Sequence, residues 1–211
     1  MNLLEALRSG SSVVAAELRP PRAELAAADG MNAWIDTYHA VRRLTRAGTF
    51  VFLTDSAVGE QEEDNLRHLI INLGHDVPRE RIVPFVTSKH SLDYCYSYAD
   101  RAHQHGFPSL VVLGGDRSVG VPRVVEHAWQ LRQLLRARDH TLALGGWANP
   151  HRDPERQIDF LAAPDFHAEF YLTQIVSHHY VDEVARFVSA ADRRGLTLPG
   201  VFGVRSSRDW T

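Results

Sequence analysis

Residues 11–22 have the sequence SSVVAAELRPPR, a short apolar run that reaches Glu17 just before a pair of prolines. Small and β-branched residues in such a run are typical of a buried strand. Proline lacks the backbone N–H that a sheet ladder needs, so the strand must end close to Glu17. The stretch therefore predicts a strand with a carboxylate at its end.

Strands of this kind recur along the chain, and an amphipathic stretch follows each of the first six. The predicted strands begin at Ser12, Thr49, Arg81, Ser109, Thr141, Ala168 and Thr197. The predicted helices span 33–47, 61–73, 91–106, 122–138, 153–163 and 179–194. Pro122 is expected to be the first residue of its helix. Strands that alternate with helices pair in parallel through right-handed crossovers, and the lack of a dinucleotide fingerprint favours an α/β fold of the TIM-type (β/α) barrel class over an open doubly wound sheet.

The barrel is predicted to lack its eighth strand. A complete eightfold barrel takes about 250 residues, whereas this sequence of 211 residues ends just after the seventh predicted strand. Such a gap would expose the edges of the first and seventh strands. The length still suffices for one buried core, so we expect a single domain over residues 1–211.

Composition restricts the partners. The formal net charge is -3 with both signs interspersed, which gives no reason to expect nucleic acid or an acidic membrane surface. No apolar run approaches the roughly 20 residues of a membrane span. The single Cys95 has no partner for an internal disulfide, and residues 1–12 do not resemble a secretory signal, so we expect a cytoplasmic protein. The sequence does not distinguish a monomer from a homo-oligomer.

Polar residues and glycines collect where the predicted strands end. In barrels of this class the active site is built at that end. The residues there are Glu17, Thr54, Asp55, Thr87, Lys89, His90, Gly114, Gly115, Asp116, Trp147, Asn149, His151, Gln174, His178 and His179. The sequence therefore predicts one functional rim.

Glu17 and Asp116 are the acidic candidates on this rim. A carboxyl at the mouth of an apolar barrel has its charged form disfavoured, and a raised pKa suits a general acid near neutral pH. An ion pair of Glu17 with Arg19 or Arg22 is an equally good interpretation. Asp116 follows two glycines that let a ligand approach the backbone, and its carboxylate suits ligand N–H groups.

The segment that contains Trp147, Asn149 and His151 suits a planar ring, which would stack on the indole and hydrogen-bond at its edge. Trp147 capping the barrel core and His151 as a structural histidine are the alternatives. His151, His178, His179 and Asp116 carry side chains that can bind a metal, but no spaced ligand motif supports such a site, and no metal is expected. Cys95 is expected to pack in a helix, and residues 127–138 to form an outer helix with a solvated face.

Five segments resemble the methylenetetrahydrofolate reductase family, in the order of that family and over about residues 11 to 204. They are AAELRPPR, VVLGGD, YLTQ, WANPHRDP and LPGVFG. The resemblance places Glu17 on the catalytic glutamate of the family and Asp116 on the aspartate beside the flavin and the pterin. It also places Gln174 on the folate-contacting glutamine and His151 on the histidine of the fourth segment.

The resemblance implies that the protein reduces 5,10-methylenetetrahydrofolate to 5-methyltetrahydrofolate with hydride from NADH or NADPH, directly or through FAD. It implies that Glu17 and Asp116 are catalytic, and that Gln174, Asp116 and Thr54 bind the folate. The cofactor-binding residues would be Thr87, Gly115, Trp147, Asn149 and His151. Gly114 stands where the family has an arginine, and the loss of a cation weakens the binding of a flavin pyrophosphate. The alternative is a non-catalytic or truncated relative that binds folate or a partner chain.

Overall fold

The computed structural model describes residues 1–21, 25, 27–59, 65–74, 76–138 and 141–204. Short strands alternate with helices along this part of the chain. The strands are β1 (Ala15–Leu18), β2 (Phe50–Leu53), β3 (Ile82–Thr87), β4 (Ser109–Leu113), β5 (Ala143–Ala148), β6 (Phe170–Thr173) and β7 (Gly200–Val201). The helices are α1 (Leu3–Arg8), α2 (Ala27–Arg46), α3 (Asn65–Asn72), α4 (Leu92–Gln104), α5 (Ala128–Arg136), α6 (Pro154–Ala162) and α7 (Val181–Arg193). Short 3-10 turns cover Arg79–Arg81, Pro164–Phe166 and His178–Tyr180.

The seven strands form one parallel sheet in which each strand pairs with the next along the chain. Glu17 on β1 lies opposite Phe52, and Trp147 on β5 lies opposite Leu172. Within the described ranges no eighth strand joins β7 to β1. The prediction of a TIM-type barrel without its eighth strand is confirmed.

Alternate residues of each strand point to opposite sides of the sheet. The inner side carries an apolar cluster that includes Phe52, Phe85, Val111 and Leu172, and the outer side packs on the helices. Ala15 and Trp147 also pack on the inner cluster. The same alternation directs Glu17 and Gln174 to the inner side at the carboxyl ends of their strands.

Helix α1 was not predicted from the sequence. It begins with a capping box, in which the Asn2 side chain accepts a hydrogen bond from the Glu5 N–H and the Glu5 carboxylate accepts one from the Asn2 N–H. Leu3 and Ala6 are buried and belong to the inner cluster of the barrel. The helix therefore supplies core residues from outside the repeating units.

The prediction that a helix starts at Pro122 is wrong, because α5 begins only at Ala128. Residues 114–127 form a long β4–α5 loop that is held to neighbouring strand ends. The buried Lys89 ammonium donates to the carbonyl oxygens of Val119 at 2.7 Å and Val121 at 2.6 Å. These tertiary bonds, which local sequence does not encode, keep the segment out of a helix.

Helix α5 also differs from the expected solvated outer helix at one position. Arg132 is 1% exposed, and its guanidinium donates to the carbonyl oxygens of Phe166 and Val112 at 2.8 and 3.1 Å. Burial lowers the pKa of Arg132 to about 10. Cys95, in contrast, packs in the outer core as predicted, and burial raises the pKa of its thiol to about 12.

None of the helices in the described part of the chain is both long and apolar enough to cross a membrane.

Candidate functional site

A cleft of about 550 Å³ lies at the carboxyl ends of the fourth, fifth and sixth strands, and we call it the β4–β6 cleft. Its lining includes Gly114, Gly115, Arg123, Trp129, Trp147 and Gln174. Aromatic walls with a few polar groups are typical of sites for small planar ligands, and this end of a barrel is where its active sites lie.

Three of the predicted site residues, Gly115, Trp147 and Gln174, meet in this cleft. Trp147 also packs on the inner cluster, so its indole both covers the core and lines the cleft. Gln174 is exposed, and its side-chain amide makes no hydrogen bond within the described residues. Gly115 has a φ of 72°, and a Cβ there would lie 2.7 Å from Cγ of Lys89. The position therefore requires glycine.

Glu17 lies on β1, outside the lining of the cleft but at the same end of the barrel. It is exposed and makes no ion pair with a described residue, so the alternative pairing with Arg19 is wrong, while Arg22 lies outside the described residues. Desolvation by the surrounding protein nevertheless raises the pKa of its carboxyl. The predicted direction of that shift is confirmed, and the role of general acid stays a prediction.

Asp116 is exposed and shapes its own turn. Its Oδ1 accepts hydrogen bonds from the N–H groups of Ser118 at 2.7 Å and Val119 at 3.0 Å. These bonds, with the Ser118 bond first, lower the pKa of the carboxyl. Its Oδ2 has no hydrogen-bond partner among the described residues, so one carboxylate oxygen remains available to accept from a ligand.

Three further predicted residues lie on the rim but outside the cleft. Thr54 donates its backbone N–H to the Leu18 carbonyl at 3.0 Å. Thr87 is 2% exposed, and its hydroxyl donates to Asp55 at 2.9 Å. The Oδ1 of Asn149 accepts a hydrogen bond from the backbone N–H of His151 at 3.0 Å. The polar groups of these residues hold the rim together, and their roles toward folate or cofactor stay predictions.

His151 lies between two acceptors. Its Nδ1 is 2.5 Å from a Glu183 carboxylate oxygen, and its Nε2 is 2.9 Å from the Ile175 carbonyl. The Ile175 carbonyl first, and then Glu183, raise the pKa of the imidazole. This arrangement favours the interpretation of His151 as a structural histidine that ties the ends of the fifth and sixth strands to α7.

Arg123, His127 and Trp129 line the cleft but were not predicted as site residues. The sequence placed them in a helix from residue 122, whereas the first two lie in the β4–α5 loop and only Trp129 is helical. No local pattern separates them from the rest of an amphipathic stretch. Among the described residues, no group of His, Cys, Asp or Glu has a geometry that could hold a metal ion.

The five predicted cofactor residues do not fit a tightly bound flavin dinucleotide. Its pyrophosphate needs cationic donors. The Thr87 hydroxyl is buried and already bonded, and the His151 imidazole is occupied by Glu183 and Ile175. The other three residues are uncharged, and Gly114 carries no side chain. We therefore derive no catalytic step through a flavin.

Solved structures with the same barrel fold match this chain. An uncharacterized protein from Clostridium thermocellum, described as binding two copies of 5-methyl-5,6,7,8-tetrahydrofolic acid, has a TM-score of 0.70 at 16% identity, over 95% of this chain and 68% of that one. For 2,3-dimethylmalate lyase the TM-score is 0.54 at 11% identity, over 95% and 77% of the two chains. For a monomeric dihydrodipicolinate synthase variant it is 0.51 at 14% identity, over 94% and 64%.

No protein-family model and no curated protein sequence matches the chain. At the identities above, the structural likeness shows the fold alone. The chain thus has a (β/α) barrel fold of the kind that enzymes such as 2,3-dimethylmalate lyase use.

Proposed function

We propose that the protein binds a reduced folate in the β4–β6 cleft and reduces 5,10-methylenetetrahydrofolate to 5-methyltetrahydrofolate with NADH or NADPH. The observation that carries this proposal is the aromatic cleft with an exposed Gln174 amide that has no hydrogen-bond partner among the described residues, at the same barrel end as Glu17 and its raised pKa. The five segments that resemble the reductase family support it. So does the structural neighbour described as binding 5-methyltetrahydrofolic acid.

The chemistry of the cleft suits a pterin. A pterin is a flat ring system with donors and acceptors along one edge. The Trp147 indole offers a π-face for stacking, and the Gln174 amide offers both an acceptor and donors for the ring edge. Asp116 follows Gly115 of the cleft but does not itself line it, and its Oδ2, which has no partner in the described residues, adds an ionised acceptor beside the cleft.

The proposed reaction needs one proton and one hydride. Glu17 donates its proton to N10 of the folate, and the bond between N10 and the methylene carbon breaks. The electron pair of N5 then forms an iminium with that carbon. Hydride from the reduced nicotinamide adds to the carbon, so that 5-methyltetrahydrofolate and the oxidised nicotinamide are the products. A carboxyl with a raised pKa keeps its proton closer to neutral pH, as this step requires.

The test is oxidation of NADH and NADPH by the purified chain with 5,10-methylenetetrahydrofolate, with and without added FAD. Folate-dependent oxidation without FAD is expected. In Glu17→Gln, the rate should fall by roughly 100-fold, while 5-methyltetrahydrofolate still binds, because the amide keeps the shape of the side chain but has no acidic proton. Full turnover in Glu17→Gln would contradict the assigned role.

Folate binding without reduction is the second candidate function. It is favoured by a groove of about 670 Å³ between β1 and β7, since no strand of the described residues fills this gap beside the strand of Glu17. The Glu17 side chain is exposed there and does not line the β4–β6 cleft, which favours binding in the cleft without proton transfer from Glu17. Saturable binding of 5-methyltetrahydrofolate without nicotinamide oxidation in either FAD condition would establish this second function.

A further inference from the structure

We propose that Arg123 is the anion-binding residue of the β4–β6 cleft and takes a carboxylate or phosphate group attached to a planar ring. This inference rests on the proposed function. The aromatic walls would bind the ring of the ligand, and Arg123 would bind an anionic group of the same ligand. The shared chemistry is an anionic oxygen group, which a folate carries as glutamate carboxylates and a nicotinamide dinucleotide as phosphates.

The Arg123 guanidinium lies across Gly114, in space that a side chain at that position would fill. A Cβ built on Gly114 would be 2.8 Å from Cζ of Arg123, and 3.0 and 3.1 Å from its two terminal nitrogens. Gly114 does not have a left-handed φ, so its backbone conformation is open to other residues. The absence of a side chain there is what lets the guanidinium lie at the wall of the cleft.

Neutral groups hold the guanidinium in this position. Nη1 donates to the Glu126 carbonyl at 3.2 Å, and Nη2 donates to the Gly115 carbonyl. Nε is shielded from solvent and has no hydrogen-bond partner in the described part of the chain. The side chain is therefore fixed in place, while no carboxylate of the described residues is bonded to its positive charge.

The acidic groups near Arg123 do not neutralise it. The Glu126 carboxylate is bound by Arg117 at 3.0 Å. Asp116 is close enough for Arg123 to contribute to lowering its pKa, but the two form no ion pair among the described residues. Among the residues that the structure describes, no aspartate or glutamate lines the cleft. A guanidinium in such surroundings suits a carboxylate or a phosphate, to which it can donate two parallel hydrogen bonds.

Arg123 is also better placed than the other cations at this end of the barrel. Lys89 is buried and donates to two loop carbonyls, and it does not line the cleft. His127 does line the cleft, but its Nε2 lies 3.6 Å from the Glu126 carboxylate. Arg123 is a fixed, permanently charged group that lines the same cleft as Trp147.

The test is calorimetric binding of three probes: 5-methyltetrahydrofolate, a tetrahydropterin without the glutamate tail, and NADPH. Arg123→Gln should weaken binding of an anionic probe at least about tenfold, the usual effect of losing a charge-assisted hydrogen bond. The tailless pterin should bind as before. Gly114→Ala keeps Arg123 but displaces its guanidinium, so it should also weaken binding of the anionic probe. Arg43→Gln, at an exposed position of α2 and outside the cleft lining, is the control and should change nothing.

The outcomes separate the two sources of the anion. Weaker binding of 5-methyltetrahydrofolate alone assigns Arg123 to the glutamate carboxylate, and weaker binding of NADPH alone assigns it to a phosphate. Unchanged affinities in a folded Arg123→Gln variant overturn the inference, as does an equal loss for the tailless pterin. Should Arg123→Gln not fold, Gly114→Ala decides by the same criteria. If the unaltered chain binds none of the probes, the proposed function itself fails.

Discussion

Two halves of the rim use their polar side chains in opposite ways. At the ends of β2 and β3, the Asp55 carboxylate accepts hydrogen bonds from the backbone N–H of Ser56, from the N–H and hydroxyl of Thr87, and from Nε2 of His90, all within 2.7–2.9 Å. At the ends of β4 to β6, the exposed Gln174 amide has no such partner within the described residues.

Burial accounts for this difference. The Asp55 side chain is 8% exposed, and a carboxylate that is removed from water must be hydrogen-bonded. The groups of the β4–β6 cleft adjoin an open volume, where water or a ligand can bind them. A polar residue at the end of a barrel strand is therefore a candidate for ligand binding only where the protein does not already satisfy it.

The largest effect is expected from Asp55→Ala. The change leaves four buried or partly buried donors without their acceptor. The free energy of unfolding should fall by about 3 kcal/mol, measured by urea denaturation. Asp36→Ala, at an exposed position of α2, is the control and should change stability by less than about 0.5 kcal/mol. Equal effects of the two variants would show that the Asp55 network does not hold the rim.

A smaller loss is expected where the two halves of the rim touch. Gly120 in the β4–α5 loop and Gly10 after α1 have similar φ values of 74° and 71°. A Cβ at Gly120 would collide with the Val58 carbonyl oxygen, whereas one at Gly10 would have nothing within 4 Å. Gly120→Ala should therefore lose about 2 kcal/mol more stability than Gly10→Ala. Comparable midpoints of thermal and urea unfolding for the two variants would mean that the β4–α5 loop does not contact Val58 in the folded protein.

The open half of the rim is tested by Trp147→Leu. Loss of the indole face should weaken 5-methyltetrahydrofolate binding by about tenfold, near 1.4 kcal/mol. Trp34→Phe is the contrasting variant, because Trp34 is buried and stacks on His68 at 4.2 Å between ring centroids, away from the cleft. It should lower stability without changing affinity. An affinity that falls equally in both variants would point to general destabilisation.

The smallest effect concerns His151 and pH. Its pKa in the folded state is raised above the ordinary 6.5, so its protonated form stabilises the fold fully below that value. This contribution is lost as the pH rises through the raised pKa. At a pH below 6.5, His151→Gln should lower the free energy of unfolding by no more than about 1 kcal/mol. At a pH above the raised pKa of His151, the stability difference between this variant and the unaltered chain should shrink, as followed by urea unfolding. Asn32→Gln, which removes no titratable group from an exposed position of α2, should show no such trend.

The sequence predicted the repeating part of the fold well, since the seven strands of the described residues all follow from local apolar runs. It also directed attention to Gly115, Trp147 and Gln174, which meet in the cleft. It did not predict the capped helix α1, because six residues carry little periodicity. Nor did it predict the β4–α5 loop, which places Arg123 in the cleft wall. The conformation of that loop depends on Lys89, which lies about 30 residues away in the sequence, and no local pattern specifies such a contact.

The central claim is that the β4–β6 cleft binds a reduced folate. Calorimetric titration of 5-methyltetrahydrofolate into the unaltered chain and into Gln174→Ala tests it most directly, with Gln104→Ala at the exposed end of α4 as the control. Saturable binding that weakens by about tenfold in Gln174→Ala and persists in Gln104→Ala is predicted. No binding to the unaltered chain, or equal binding to all three proteins, would contradict the claim.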